Sequence, residues 1–106
     1  MPGTTLDTDI ENTTKGAQSK LYHVIILNDD EHTFDYVIEM LQAIFSMSYV
    51  TALAHTMEAN STGSSIVLTT HLEEAELKRD QIHGFGRDSR LERCQGSMTA
   101  VIEPAE

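Results

Sequence analysis

The run Asn28-Asp29-Asp30 gathers one amide and two carboxylates in three residues. Such a set suits the holding of a cation, or acid–base work in an enzyme. Acid–base work by Asp29 and Asp30 is disfavoured, because adjacent side chains in a turn diverge and acidic proteins carry many such pairs. Five histidines (His23, His32, His55, His71, His83) and Cys94 raise a metal site. None has ligand spacing such as H-E-x-x-H or C-x-x-C, so scattered surface histidines are expected, with no metal and no cofactor. Cys94 stands beside Arg93 in a polar stretch where a thiol could be reactive, but no histidine or asparagine motif marks it as a nucleophile. The chain has no G-x-S-x-G, P-loop or dinucleotide fingerprint. These residue types point to binding rather than catalysis.

Charge narrows what could be bound. Seven basic residues face seventeen acidic ones, a formal net charge of -10. Nucleic acids and anionic membranes are repelled by such a surface, whereas a cationic group is attracted, an N-terminal α-amino group being one small example. The 106 residues are one domain's worth, and a hydrophobic content of 40% suffices for a modest core. The longest aliphatic run, Val24 to Leu27, is strand-sized and far short of a membrane span. A lone cysteine excludes an internal disulfide, and the first residues lack a basic region followed by an apolar one. A cytoplasmic protein is the expectation.

The elements that must position the turn are legible in the periodicity. Residues 1–20 are rich in Thr, Gly, Asp and Asn, and are expected to form a flexible extension before a domain spanning 21–106. Leu21 to Leu27 reads as a largely buried strand, and Asn28-Asp29-Asp30 stops it as turn and helix-cap residues do. Phe34, Val37, Ile38, Leu41, Ile44 and Phe45 then mark one face of a helix, with Glu31, Asp35 and Glu39 on another. After a break at Ser46 to Ser48, the spacing of Val50, Leu53, Ala54 and Met57 predicts the inward face of a second helix, closed near Gly63. Ser65 to Thr69 reads as a second strand. Thr70 and Glu73 have capping-box spacing for a third helix from His71 to about Phe85, with Leu72, Ala75 and Ile82 inward. Asp88 to Gly96 reads as a polar loop, and Ser97 to Glu103 as a last strand. The order β-α-α-β-α-β predicts a single α/β (α+β) domain, a three-stranded sheet packed against three helices.

Beyond periodicity, Tyr22 to Lys78 resembles the ClpS family of Clp protease adaptors. The resemblance is carried by the strand entering Asn28-Asp29-Asp30, by Tyr36-Val37-Ile38-Glu39-Met40-Leu41-Gln42, and by Glu73-Glu74-Ala75-Glu76-Leu77-Lys78. It implies an adaptor, not an enzyme, that binds N-terminal destabilising residues of substrate proteins and delivers them to a Clp-type AAA+ unfoldase. The α-amino group would then be held by Asn28, Asp30 and Asn60, since an ammonium with three donors needs converging acceptors. The hydrophobic pocket would be lined by Leu27, His32, Phe34, Val37, Thr56, Met57, Ala59 and Met98. Glu73 and Lys78 would contact the N-terminal domain of the unfoldase.

Several positions depart from the family pattern. Asn60 stands where the family has a histidine, Thr56 and Phe34 where it has methionines, and Thr33 where it has a proline. An amide offers an acceptor as neutral imidazole does, but takes no charge near neutral pH. The alternative is therefore a ClpS-like regulatory domain that docks on an ATPase with altered or lost recognition of terminal residues.

Overall fold

The computed structural model describes residues 20–92 and 94–106. The extension expected over residues 1–20 lies, but for Lys20, outside them, as does Arg93. Six elements follow in the expected order: β1 (Tyr22–Leu27), α1 (Phe34–Phe45), α2 (Tyr49–Thr62), β2 (Ser64–Thr70), α3 (Leu72–His83) and β3 (Ala100–Pro104). The sheet is antiparallel throughout, in the order β2-β1-β3. A central β1 explains its apolar composition. Val24 and Ile26 join the core with side chains from all three helices, while Ile25 between them lies outside that cluster. Proline at the end of β3 is tolerated because β3 is an edge strand. No helix among the described residues is long and apolar enough to cross a membrane.

Local chemistry sets the helix ends. Thr33 caps α1 by accepting from the Tyr36 N–H, and Ser48 caps α2 by accepting from the Thr51 N–H. Gly63 closes α2 at a φ of 101°, where a side chain would be strained. The expected capping box on α3 does not form. His71 takes the cap position without a side-chain bond, and the Thr70 hydroxyl donates to Glu74 instead.

The inward face of α2 differs from the periodic expectation. Ala52, Thr56 and Ala59 are buried, Leu53 is half-buried, and Val50, Ala54 and Met57 are exposed. Both stripes satisfy a 3.6-residue period. The helix contacts both α1 and β2, and small side chains allow that close approach. Leu72 likewise faces outward, whereas Ala75 and Ile82 are buried as expected. Ser97 to Thr99 lie outside the β3 ladder, although the Leu27 N–H still donates to the Thr99 carbonyl.

Most described residues of the stretch 84–99 are exposed, as expected of a loop, but Asp88, Cys94 and Met98 are buried. Asp88 is 0% exposed and Cys94 is buried, its sulfur accepting from the Asp88 N–H and donating to the Gly96 carbonyl. The thiol is therefore a packing group rather than an exposed nucleophile. Tyr36 reaches from α1 to donate its hydroxyl to the Gly86 carbonyl. Burial pushes that phenol up from its ordinary pKa.

Candidate functional site

The β1–α1 turn, the start of α1, the last turns of α2 and the end of the 84–99 stretch enclose a small depression. Its lining is Asn28, Asp29 and His32 from the turn, Phe34 and Val37 from α1, Thr56, Ala59 and Asn60 from α2, and Met98. Sequence neighbours explain each placement. Phe34 and Val37 are one helical turn apart, and Thr56, Ala59 and Asn60 fall at i, i+3 and i+4 on a single face. Leu27, Asp30 and Met57 are not among the lining residues. Asp29, which the sequence reading did not assign to the site, is among the lining residues.

One side of this depression is tied down by hydrogen bonds. The Asp29 carboxylate accepts from the Glu31 N–H at 2.9 Å, and its oxygens lie 2.8 and 2.9 Å from His32 Nδ1. His32 Nε2 lies 2.9 Å from the Gly96 carbonyl. Each ring nitrogen thus lies within hydrogen-bonding distance of an acceptor, which ties the turn to the 84–99 stretch. Behind them, Asp88 accepts from the Thr33 N–H at 2.7 Å, the Thr33 hydroxyl at 2.8 Å, and the Arg90 N–H and guanidinium. Burial alone would raise the Asp88 carboxyl. The hydrogen bonds from Thr33 and Arg90 outweigh it and hold the pKa at about 2. Arg90 also bridges to Glu39 on α1 at 2.9 Å.

The opposite side is sparsely bonded. The Thr56 hydroxyl donates back to the Ala52 carbonyl at 2.7 Å, which lets it sit buried in the wall. The side-chain amides of Asn28 and Asn60 are exposed and make no hydrogen bond among the described residues. Two amides with open acceptors, an acidic turn and a largely apolar floor can together hold a small cation that carries a hydrophobic group. No cluster of three or more His, Cys, Asp or Glu suited to a metal occurs among the described residues.

Glu73 and Lys78 lie on α3, away from the depression. Glu73 is exposed in the first turn. Lys78 is half-buried, and its ammonium donates to the Ile44 carbonyl at the end of α1 at 2.8 Å, 5.7 Å from the centre of the Phe45 ring. It thereby satisfies a helix-terminal carbonyl that α1 leaves open. An open groove beside it is lined by Ala43, Ile44, Lys78, Gln81, Gly84 and Phe85.

A three-stranded antiparallel sheet with three helices defines a small single α+β domain. Residues 17–92 match the family model for the ATP-dependent Clp protease adaptor protein ClpS, and the chain belongs to that family. It is 35% identical to the ATP-dependent Clp protease adapter protein ClpS of Nautilia profundicola, over 77% of this chain and 84% of the relative. It is 30% identical to that of Wolinella succinogenes, over 87% of this chain and 96% of the relative. The solved structure of Agrobacterium tumefaciens ClpS2 bound to L-phenylalaninamide superposes with a TM-score of 0.70 at 30% identity, covering 80% of this chain and 96% of that one. These relatives are adaptors, not enzymes.

Proposed function

We propose that this ClpS-family adaptor binds the first residue of substrate proteins in the depression between the β1–α1 turn and α2, and presents those substrates to a Clp-type unfoldase. The observation that carries the reading is the pair of unengaged amides, Asn28 and Asn60, beside an acidic turn and over a floor of Val37, Thr56, Ala59 and Met98. A protonated α-amino group has three donors. The two amide oxygens and the carboxylates of Asp29 and Asp30 supply acceptors and negative charge for it. The large apolar side chain of the first residue enters over the floor, where burial rewards it. L-phenylalaninamide, found on the Agrobacterium relative, has both parts: a free α-amino group and an aromatic side chain. Glu73 and Lys78 are assigned to the unfoldase, with Lys78 presenting part of its ammonium while it holds α1.

Peptides that differ only in acetylation of the first residue test this. Free-amine peptides with a bulky apolar first residue bind more tightly than their acetylated twins by about tenfold or more, the worth of one charge-assisted contact. Equal binding of the twins sinks the reading and favours the regulatory alternative, in which Asn60 in place of histidine has ended terminal-residue recognition.

A further inference from the structure

Helix α2 carries more apolar surface than the fold buries. Val50 is 74% exposed and Met57 is 54% exposed, while the fully buried positions are Ala52, Thr56 and Ala59. With the half-buried Leu53, which also packs on the core, Val50 and Met57 form a contiguous row rather than scattered points. Asn60 and Met57, Met57 and Leu53, and Leu53 and Val50 are three or four residues apart, so each pair shares one helix face. The row begins at Asn60 on the rim of the depression and runs about 15 Å toward the start of α2. An extended peptide of about five residues covers that length.

We infer that the ridge Met57, Leu53 and Val50 receives apolar side chains at the second to fourth residues of the same substrate segment whose first residue enters the depression. This inference rests on the terminal-residue reading and extends it from one residue to a short sequence. The continuity of ridge and rim favours that occupant. A second copy of this chain is disfavoured by charge, because both molecules would carry a net charge of -10. Substrate segments differ from a second copy in bringing an ammonium group to the acidic turn. The ridge then discriminates among proteins that share a first residue.

Binding of fluorescent peptides to the full chain tests this, with the first residue fixed as phenylalanine. Residues two to four are Leu-Val-Leu or Ser-Gly-Ser, and each peptide is made with a free and an acetylated amine. The expected result is about tenfold tighter binding of the Leu-Val-Leu peptide. In the double variant Val50→Ser, Met57→Ser that ratio falls to about one, while the Ser-Gly-Ser peptide binds as it does to the wild type. Both positions are exposed, so the variant keeps its fold. A ratio unchanged by the double substitution overturns the inference. So does a wild-type dimer in sedimentation that the variant dissolves, since the ridge would then be a self-interface. Acetylated twins that bind equally well sink the terminal-amine reading, whereas the ridge is judged separately by the collapse of the Leu-to-Ser ratio.

Discussion

The two walls of the depression are built on opposite principles. The turn wall is a lattice of hydrogen bonds, in which Asp29, His32 and Gly96 lock the turn to the 84–99 stretch and Asp88 locks that stretch to the start of α1. The α2 wall is packed rather than bonded: small residues press inward, Thr56 bonds only within its own helix, and Asn60 is left open. On the proposed reading, the difference separates two tasks. Rigid acceptors are needed where charge is held, because a misplaced carboxylate loses the geometry its hydrogen bonds need. A smooth apolar wall serves where side chains of varied shape must fit. Substitutions on the turn wall should therefore be costly in stability, and those on the α2 wall costly mainly in binding.

The largest expected effect is at Asp88. Asp88→Ala removes the acceptor of four hydrogen bonds and leaves the Thr33 N–H and hydroxyl without their partner. A loss of about 3 kcal/mol is expected in denaturant unfolding, in keeping with a fully buried charged acceptor. A loss below about 1 kcal/mol would show that the lattice is ornamental, and the contrast between the walls would fail. The same residue links stability to acid. Its folded pKa of about 2 lies below its ordinary value of 3.8, so the unfolded chain binds the proton more readily between them. The stabilisation is fully present above about pH 4 and is lost as pH falls through about 2. Asp88→Asn should flatten the unfolding curve in that window, which acid titration followed by circular dichroism can read.

These long-range ties explain what was legible in the sequence and what was not. Strands β1 and β2 and helices α1 and α3 declared themselves through local periodicity, and the resemblance brought Asn28 and Asn60 to one depression. Asp88 to Gly96 read only as a polar loop because its partners are distant: Asp88 meets Thr33 across 55 positions, Arg90 meets Glu39 across 51, and His32 meets Gly96 across 64. No window of local pattern spans such separations. The inward face of α2 was misread for a different reason. Hydrophobicity favours the larger stripe of Val50, Leu53 and Met57, while the space between α1 and β2 selects the smaller stripe of Ala52, Thr56 and Ala59.

The next effect in size concerns the open amide. Asn60→Ala removes a side chain with no bonded partner among the described residues, on an exposed position of α2. Stability should change by less than about 0.5 kcal/mol, as for ordinary surface substitutions. Free-amine peptides should nevertheless bind about tenfold more weakly, with acetylated peptides unaffected. Calorimetric titration of both peptide forms reads the contrast. A stability loss comparable with that of Asp88→Ala would mean that Asn60 is a structural residue, and the division between the walls would need redrawing.

The smallest expected effect is also the most specific to the α2 wall. Thr56 is buried, and its hydroxyl donates to the Ala52 carbonyl, an oxygen that the helix ladder already supplies with the Thr56 N–H. Thr56→Val removes that extra bond and puts a methyl group in its place, so no donor or acceptor is stranded. Lost hydrogen bonding of about 1 kcal/mol is set against the gain from burying a methyl group, and the net change should stay within about 0.5 kcal/mol of zero. Thermal unfolding should shift by only a few degrees. The wall facing the first residue becomes wholly apolar there, so peptides that begin with a bulky hydrophobic residue should bind as well or up to about threefold more tightly. A destabilisation above about 1.5 kcal/mol would place a needed polar contact on the α2 wall. The two walls would then differ in degree of bonding rather than in kind.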